Sequence, residues 1–410
     1  MQSPSTPSSY RWYILFLGTI TNALVVAAPS MSMPVLFPEI AAELNLSLVQ
    51  VGVVWGISSL PGIITVLLGG AIGDKVGPRK VLILTCLAVA FSGALRGLSN
   101  SYFSLLVSML LFGAFTPFIT NNNMKNCSTW FPQYQLGLAS GVLSMGMALG
   151  FLIGSMFSAT TLSPLLGGWR GVLYLYGAFA ALLALPWFLA RSAPPMDPSR
   201  SALPAPKPLR QAVMDVAKIP TILLLGLMLM GVNGCIQGTL GYLPTYLRGQ
   251  GWEPALADGA LAAFHTTSLV LVIPIALLSD RLGTRRKVLL ACGAAFILGI
   301  SMLAFTSGPA VWAAVLIAGM VRDGFMAVLM TMIIETDGVG AAYAGSATGI
   351  VMVFSGIGSL LAPPIGNSLG EILPQLPFLF WAFLTLLGMV ALLATKEHHG
   401  PKAVAAKATP

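Results

Sequence analysis

Two stretches decide the fold: GAIGDKVGPRK at residues 70–80 and ALLSDRLGTRRK at residues 276–287. Each follows an apolar run long enough to cross a membrane and comes just before another such run. Glycines let the backbone reverse tightly, and the basic residues keep each turn on one side of the bilayer. The copies lie 206 residues apart in a 410-residue chain, and the same offset pairs Pro38 with Pro244. The sequence therefore predicts one half-molecule written twice.

Composition supports a membrane protein. Apolar residues make up 56% of the chain and charged residues 8%, and the mean hydropathy is +0.86. A water-soluble domain could not sustain this composition at its surface. Most Lys and Arg residues fall in segments that we predict to be cytoplasmic, so the net charge of +8 sets orientation, with both termini in the cytoplasm. Nucleic-acid binding is not needed to explain the charge.

Apolar windows of about twenty residues predict twelve transmembrane helices. They cover residues 12–36, 48–72, 79–98, 103–126, 137–160, 170–190, 220–246, 257–279, 287–305, 310–334, 344–366 and 376–395. We predict two pseudo-symmetric six-helix bundles, residues 1–190 and 219–395, in an all-α integral membrane protein. A Pro-rich cytoplasmic linker, 191–218, joins them, and a small polar cytoplasmic tail, 396–410, follows. The N-terminal residues lack the pattern of a cleaved signal peptide, so the first helix is expected to remain as an anchor.

The repeated loop resembles the signature loop of the major facilitator superfamily, found between its second and third helices. In that family the loop braces the two halves in one conformation of the transport cycle. The resemblance implies this conformational role for the matching residues, which are Gly70, Asp74, Lys75, Gly77, Arg79 and Lys80 in the first copy and Asp280, Arg281, Gly283, Arg285 and Arg286 in the second. The second copy departs from the pattern at its first position, Ala276.

A second resemblance concerns the branch of the family. Trp130-Phe131-Pro132 followed by the GLASG run at 137–141, with Lys125 upstream, is similar to the loop after the fourth helix in organic-anion and cyanate-type permeases. Leu136 stands where many of those proteins have a basic residue. Drug antiporters usually carry an Arg in the fourth helix, where Met109 stands here, and a Gly-Pro pair in the fifth helix, which is absent between residues 137 and 163.

Two predicted helices carry glycines at a spacing that favours close packing against a neighbouring helix. The fifth carries Gly146, Gly150 and Gly154, and the eleventh carries Gly356 and Gly358. Small residues at helical spacing let a neighbouring membrane helix approach closely.

The tenth window contains the most informative charges. Arg322 and Asp323 lie about thirteen residues from its outer end, roughly 20 Å deep at 1.5 Å per residue. Buried charges are costly in a bilayer and mark functional sites. We predict that Arg322 binds an anionic group and that Asp323 takes up a proton or holds Arg322 when the site is empty. Adjacent helical residues point about 100° apart, so separate partners are more natural than a direct bridge. The alternative is that both only hold the fold.

Amides supply further candidates. Asn121 and Asn122 lie on the fourth helix, which faces the cavity by family analogy, and at least one should point inward. Asn233 and Gln237 stand four apart on the seventh helix and share one face. Each could contact substrate, and packing between helices explains the second pair equally well.

Four further charged or titratable residues lie at different depths in the predicted helices. His265 in the eighth helix is either a neutral imidazole hydrogen-bonded to a hydroxyl or a proton relay. Arg96, near the outer end of the third helix, is expected to extend to the interface. Glu335 and Asp337 are expected to cap the tenth helix or to pair with cytoplasmic bases.

These observations predict a secondary transporter and not an enzyme. No phosphate-binding Gly-rich loop, metal-type His cluster or convincing nucleophile–base pair is present in the sequence, so no cofactor is expected. We predict alternating access around a small organic anion of the mono- or dicarboxylate type, with proton symport or exchange, in a monomer embedded in a bacterial inner membrane. The alternatives are proton-coupled efflux of a hydrophobic or cationic compound and, more remotely, a membrane sensor without turnover.

Overall fold

The structure is a computed structural model that describes residues 9–191 and 209–395. Within these ranges the chain is helical and contains no strand. Twelve of its helices are long and apolar enough to cross a membrane. This confirms the predicted all-α membrane fold.

We number these helices α1 to α12 in chain order. Their bounds are Tyr10–Leu44, Leu48–Ile57 continued by Ser59–Val76, Pro78–Gly97, Tyr102–Trp130, Leu136–Leu165, Trp169–Leu189, Pro220–Gly249, Pro254–Leu282, Arg285–Phe305, Ala310–Glu335, Gly340–Gly370 and Leu376–Leu393. A short helix, Leu209–Val216, lies in the predicted linker. Residues 192–208 of that linker and the predicted tail, 396–410, fall outside the described residues.

Local sequence signals set several helix ends. Ser47 begins α2 with a capping box, in which its hydroxyl accepts from the Gln50 amide at 3.2 Å and its own amide donates to the Gln50 side chain at 2.9 Å. Prolines stand at the start of α3, α7 and α8, where their missing N–H costs nothing. Gly283 ends α8 with a left-handed φ of 64°.

The first helix runs further than its sequence predicts. The window ended at residue 36, whereas α1 continues to Leu44 through Pro34 and Pro38. A π-helical segment, Asn22–Ala27, interrupts it. Membrane helices tolerate proline because neighbouring groups satisfy the freed carbonyls.

Contacts divide the described chain into two compact units. The first holds residues 9–44 and 64–191. Its core packs Leu17, Leu82, Phe112 and Trp187 together, and the indole of Trp187 donates to the hydroxyl of Thr21 at 2.9 Å. Burying that indole with a hydrogen-bond partner avoids the cost of an unsatisfied donor.

The second unit holds residues 45–63 and 209–395. Trp381 is fully buried at its centre, packs edge-on against Phe378 and donates to the carbonyl of Ala362 at 2.9 Å. In the same unit, Trp55 donates to the backbone carbonyl of Gln237 at 2.7 Å. The sequence predicts a first bundle over 1–190, whereas the contacts group 45–63 with the second unit, and the bundle boundaries stay a prediction.

Candidate functional site

Arg285 of the second repeated loop forms ion pairs with two carboxylates. Its guanidinium donates to Asp280 at 2.6 Å and, through two nitrogens, to both carboxylate oxygens of Glu335 at 3.2 Å. It also donates to the hydroxyl of Ser279 at 3.0 Å. Glu335 thus pairs with a base, as expected, and the cytoplasmic position of that base stays a prediction.

The first repeated loop uses its arginine differently. Arg79 donates to the carbonyls of Trp187, at 3.1 Å, and Phe188 at the end of α6. In the second unit the corresponding carbonyl, that of Leu393, is 206 residues further on and accepts from Arg286 at 2.5 Å. Cations at a helix C-terminus interact favourably with its carbonyls and dipole.

The remaining loop residues take up turn and helix positions. Gly77 has a φ of 91°, which a residue with a side chain rarely adopts, so glycine is required between α2 and α3. The others lie on the ends of the adjoining helices: Gly70, Asp74 and Lys75 on Ser59–Val76, Lys80 on Pro78–Gly97, and Arg281 on Pro254–Leu282.

Arg322 and His265 meet between α8 and α10. One guanidinium nitrogen of Arg322 lies 3.3 Å from Nδ1 of His265. The same nitrogen lies 3.6 Å from a carboxylate oxygen of Asp323. Arg322 thus has a separate partner on α8, and it also approaches Asp323, because the long arginine side chain spans the angle between adjacent positions.

Serine completes this cluster. The hydroxyl of Ser268 accepts a hydrogen bond from the backbone amide of Asp323 at 3.0 Å. An amide inside a helix ordinarily donates to the carbonyl four residues earlier, so this additional contact links the backbone of α10 to α8. The Arg322 side chain keeps 17% of its surface exposed and that of Asp323 keeps 36%, so both side chains are partly accessible.

A narrow crevice borders Arg322 on its other side. Its walls are apolar side chains of α7, α9 and α10, namely Val232, Ile236, Cys292, Phe296, Val321 and Phe325. Charges beside apolar walls interact strongly, because little water screens them.

Asn233 makes polar contacts between two helices. Its amide nitrogen donates to the hydroxyls of Ser355 at 2.6 Å and Ser359 at 3.0 Å, both on α11. Gln237, one turn later, is half-buried. The contacts of Asn233 thus support the interpretation that this amide packs between helices. A role of Asn233 and Gln237 in substrate binding stays a prediction.

The asparagine run on α4 divides between its helix and its neighbours. Asn122 is buried and donates to the carbonyl of Phe118 in its own helix at 2.8 Å. Asn123 donates to Asn22 of α1 at 2.7 Å. Asn121 is half-buried. Asn123 ties α4 to α1, because its amide nitrogen also donates to the carbonyl of Gly18 at 3.2 Å.

Arg96 does not extend to the interface. Its side chain is fully buried, donates to the carbonyl of Pro29 at 3.1 Å, and lies 3.9 Å from the centre of the Phe112 ring. The prediction from depth alone is wrong because α1 and α4 cover this part of α3. The aromatic face and the carbonyl stabilise the cation there.

The sequence analysis also did not predict two ion pairs, one within each unit. Glu43 accepts from the indole of Trp169 at 2.6 Å and from Arg170, and Arg248 pairs with Asp258. Acidic residues near helix ends hint at such pairs, but the partner cannot be chosen without coordinates.

Twelve membrane helices, repeated charged loops and a charged cluster deep in the helices define a polytopic membrane protein of the transporter type. The chain matches the sequence profile of the Major Facilitator Superfamily over residues 15–345 and 260–409. It therefore belongs to that superfamily.

Relatives within the superfamily have diverse substrates. The chain is 30% identical over 295 residues to the probable nitrate/nitrite antiporter NarK1 of Thermus thermophilus, covering 67% of this chain and 63% of that protein. It is 26% identical to the hexuronate transporter of Bacillus subtilis, over 63% of this chain and 59% of that one. It is 25% identical to the multidrug resistance protein MdtG of Yersinia enterocolitica, over 74% of each.

Solved structures support the fold alone. A bacterial homolog of the human lysosomal transporter Spinster superimposes with a TM-score of 0.76 at 17% identity, covering 95% of this chain and 96% of the other. A mutant of the nucleoside transporter NupG gives a TM-score of 0.76 at 16% identity, covering 93% of this chain and 99% of the other.

Proposed function

We propose that this protein is a secondary active transporter that works by alternating access and carries a small organic anion of the mono- or dicarboxylate type. Proton symport or exchange drives the movement. The observation that carries the proposal is the cluster of Arg322, His265 and Asp323 within the membrane-spanning part of α8 and α10. Fold alone would not suffice, because many substrates share this scaffold.

The chemistry of Arg322 favours an anion. A guanidinium presents a planar fork of donors that fits a carboxylate with two hydrogen bonds. In the present state this fork faces an imidazole nitrogen and a carboxylate 3.6 Å away. Under this proposal Asp323 holds Arg322 until a substrate carboxylate takes its place.

Two relatives support the charge of the substrate. One is named as a probable nitrate/nitrite antiporter and the other as a hexuronate transporter, and these named substrates are anions. We therefore propose that the substrate of this protein is also an anion. Asn121, Asn122, Asn233 and Gln237 remain proposed substrate contacts, and Asp323 and His265 proposed proton-coupling groups.

The setting follows from the same proposal. We place the protein in a bacterial inner membrane as a monomer, with both termini in the cytoplasm. The repeated loops, with Arg79 and Arg285 at their centres, would face the cytoplasm and act on the conformational cycle.

Efflux of a hydrophobic or cationic compound is the second candidate. It is favoured by the likeness to MdtG over 74% of the chain and by the partly exposed Asp323, whose carboxylate could recognise a cation. The two candidates differ in which member of the cluster contacts the substrate.

Transport by proteoliposomes distinguishes them. We would measure uptake of labelled lactate, succinate, glucuronate and sulfoacetate under an imposed pH gradient, and extrusion of a cationic dye in parallel. Arg322→Met should lower acid uptake about 10- to 100-fold, the loss expected for a charge-assisted hydrogen bond, while Arg322→Lys should retain part of it. Lys218→Met removes one positive charge from an exposed residue and serves as the matched control.

Two results would contradict the anion proposal. One is acid uptake by Arg322→Met equal to that of the wild type. The other is dye extrusion that depends on Asp323 but not on Arg322, which would support efflux.

A further inference from the structure

We propose that His265 holds Arg322 through an unprotonated Nδ1 in the empty site, and that His265 takes up the co-transported proton when an anion claims the guanidinium. The inference rests on the proposed anion transport and assigns the proton to one of the two candidate groups. Asp323 then acts as the stand-in anion and not as the proton carrier.

The hydrogen bond itself fixes the state of the imidazole. A guanidinium has five N–H donors and no acceptor. The nitrogen of Arg322 at 3.3 Å can therefore only donate to Nδ1 of His265. Nδ1 must then offer its lone pair, so the ring is neutral and carries its proton on Nε2. Protonation of Nδ1 is incompatible with this hydrogen bond.

The helices around the contact are held closely together. Gly319, one turn before Arg322, packs so near α8 that a Cβ there would lie 2.5 Å from the carbonyl oxygen of Phe264. Gly324 similarly faces Ile275, at 2.7 Å from its Cβ. Together with the hydrogen bond between Ser268 and the backbone of α10, these contacts fix the crossing. An exchange of partners at this point therefore involves side chains, not a shift of the helices.

Arg322 of α10 is a charged neighbour of the imidazole, and Asp323 lies beside Arg322 in turn. From α9, the Cys292 thiol lines the crevice that Arg322 borders. On α8 itself and at the end of α7, Asp258 and Arg248 form their own pair, about 10 Å along the helix at 1.5 Å per residue. The cluster of Arg285, Asp280 and Glu335 lies about 20 Å away in the other direction.

The proposed exchange balances both charge and atoms. A proton from the aqueous side adds to the lone pair of Nδ1, and the N–H of Arg322 that pointed there turns to an oxygen of the entering carboxylate. The imidazolium can donate to the same anion. A monoanion and one proton thus enter together with no net charge, and both leave on the opposite side as Arg322 returns to His265. Because binding energies are linked, each of the two favours the other.

The tautomer of His265 can be measured without any substrate. The sequence contains three histidines, so His398→Gln and His399→Gln together leave one ¹⁵N-labelled imidazole. We expect nitrogen shifts of an unprotonated Nδ1 and a protonated Nε2 at neutral pH. Arg322→Met should remove the bias toward this tautomer. A protonated Nδ1 in the substrate-free protein would overturn the proposal.

Transport tests the coupling. In His265→Asn the side-chain oxygen can replace Nδ1 as an acceptor for Arg322 but cannot take up a proton. We expect slower yet measurable counterflow of whichever of the four acids the wild type carries, and at least a tenfold loss of accumulation driven by a pH gradient. His265→Gln, whose oxygen lies one bond further out, should lose both.

The outcomes separate this inference from the proposed function. If the wild type carries none of the acids, anion transport itself fails. If the wild type accumulates an acid and His265→Asn accumulates it equally well under the pH gradient, transport stands and the role of His265 is refuted.

Discussion

Arg248 of α7 binds both carboxylate oxygens of Asp258 on α8 at 2.8 Å. The Asp258 side chain is fully buried, and that of Arg248 is 17% exposed. A buried charge stripped of its partner is costly, although replacing the whole pair with apolar groups can be nearly neutral. The pair ties two consecutive helices of the second unit at their adjoining ends.

Breaking this pair from one side should destabilise the protein. We expect Arg248→Met to cost about 3 kcal/mol, since it leaves the Asp258 carboxylate buried without its cation. The double variant Arg248→Met with Asp258→Leu should recover most of that loss. Thermal unfolding in detergent measures both, and a double variant less stable than the single one would contradict the expectation.

Gly150 and Gly141 on α5 should respond oppositely to alanine. A Cβ at Gly150 would lie 2.6 Å from the Cβ of Ala27 and 2.7 Å from the Cα of Ala23, whereas one at Gly141 would meet nothing within 4 Å. Gly150→Ala should therefore cost about 1 to 3 kcal/mol through overpacking. Gly141→Ala should be neutral or gain up to about 1 kcal/mol from helix propensity. Equal effects at both positions would show that α1 and α5 do not pack as described.

The two acidic partners of Arg285 should contribute unequally. Glu335 accepts two hydrogen bonds and is 25% exposed, while Asp280 accepts one and is 61% exposed. Exposed ion pairs contribute about 0 to 1 kcal/mol. Glu335→Gln should thus lower the melting temperature more than Asp280→Asn does. The reverse order would mean that the single contact at 2.6 Å dominates.

All four cysteines should resist labelling until the protein unfolds. Cys86, Cys127, Cys235 and Cys292 are buried and unpaired. We expect a maleimide fluorophore to leave them unmodified in the folded protein and to react as temperature rises through the unfolding transition. Rapid labelling at 20 °C would indicate that one of the helices carrying them opens in the native state.

The fold could be predicted because it depends on two strong sequence signals. Apolar windows located every membrane helix, and most predicted ends fall within a few residues of those observed, such as 310–334 against Ala310–Glu335. The duplicated loop identified the superfamily independently. The end of α1 at Leu44 was missed because prolines at 34 and 38 ordinarily argue against a continuing helix.

The site was harder to predict because partners lie far apart in sequence. Arg322 and His265 were each singled out by depth, yet nothing in the sequence joins residues 57 apart. Arg96 was misjudged for a related reason: its depth is readable, but its cover by Phe112 and Pro29 belongs to the packing of three helices. The hydrogen bond from Asn233 to Ser355 likewise requires the pairing of α7 with α11.

The contrast between Arg79 and Arg286 concerns how the two repeated halves use equivalent positions. Both guanidinium groups reach equivalent carbonyls, those of Trp187 and Leu393, yet they stand one position apart in the repeat. In the second half the neighbouring residue, Arg286, binds the carbonyl at the end of the helix, and Arg285 binds carboxylates instead. A consensus half built by averaging the two copies column by column would carry a cation in both columns, so it could not identify which of the two binds the carbonyl.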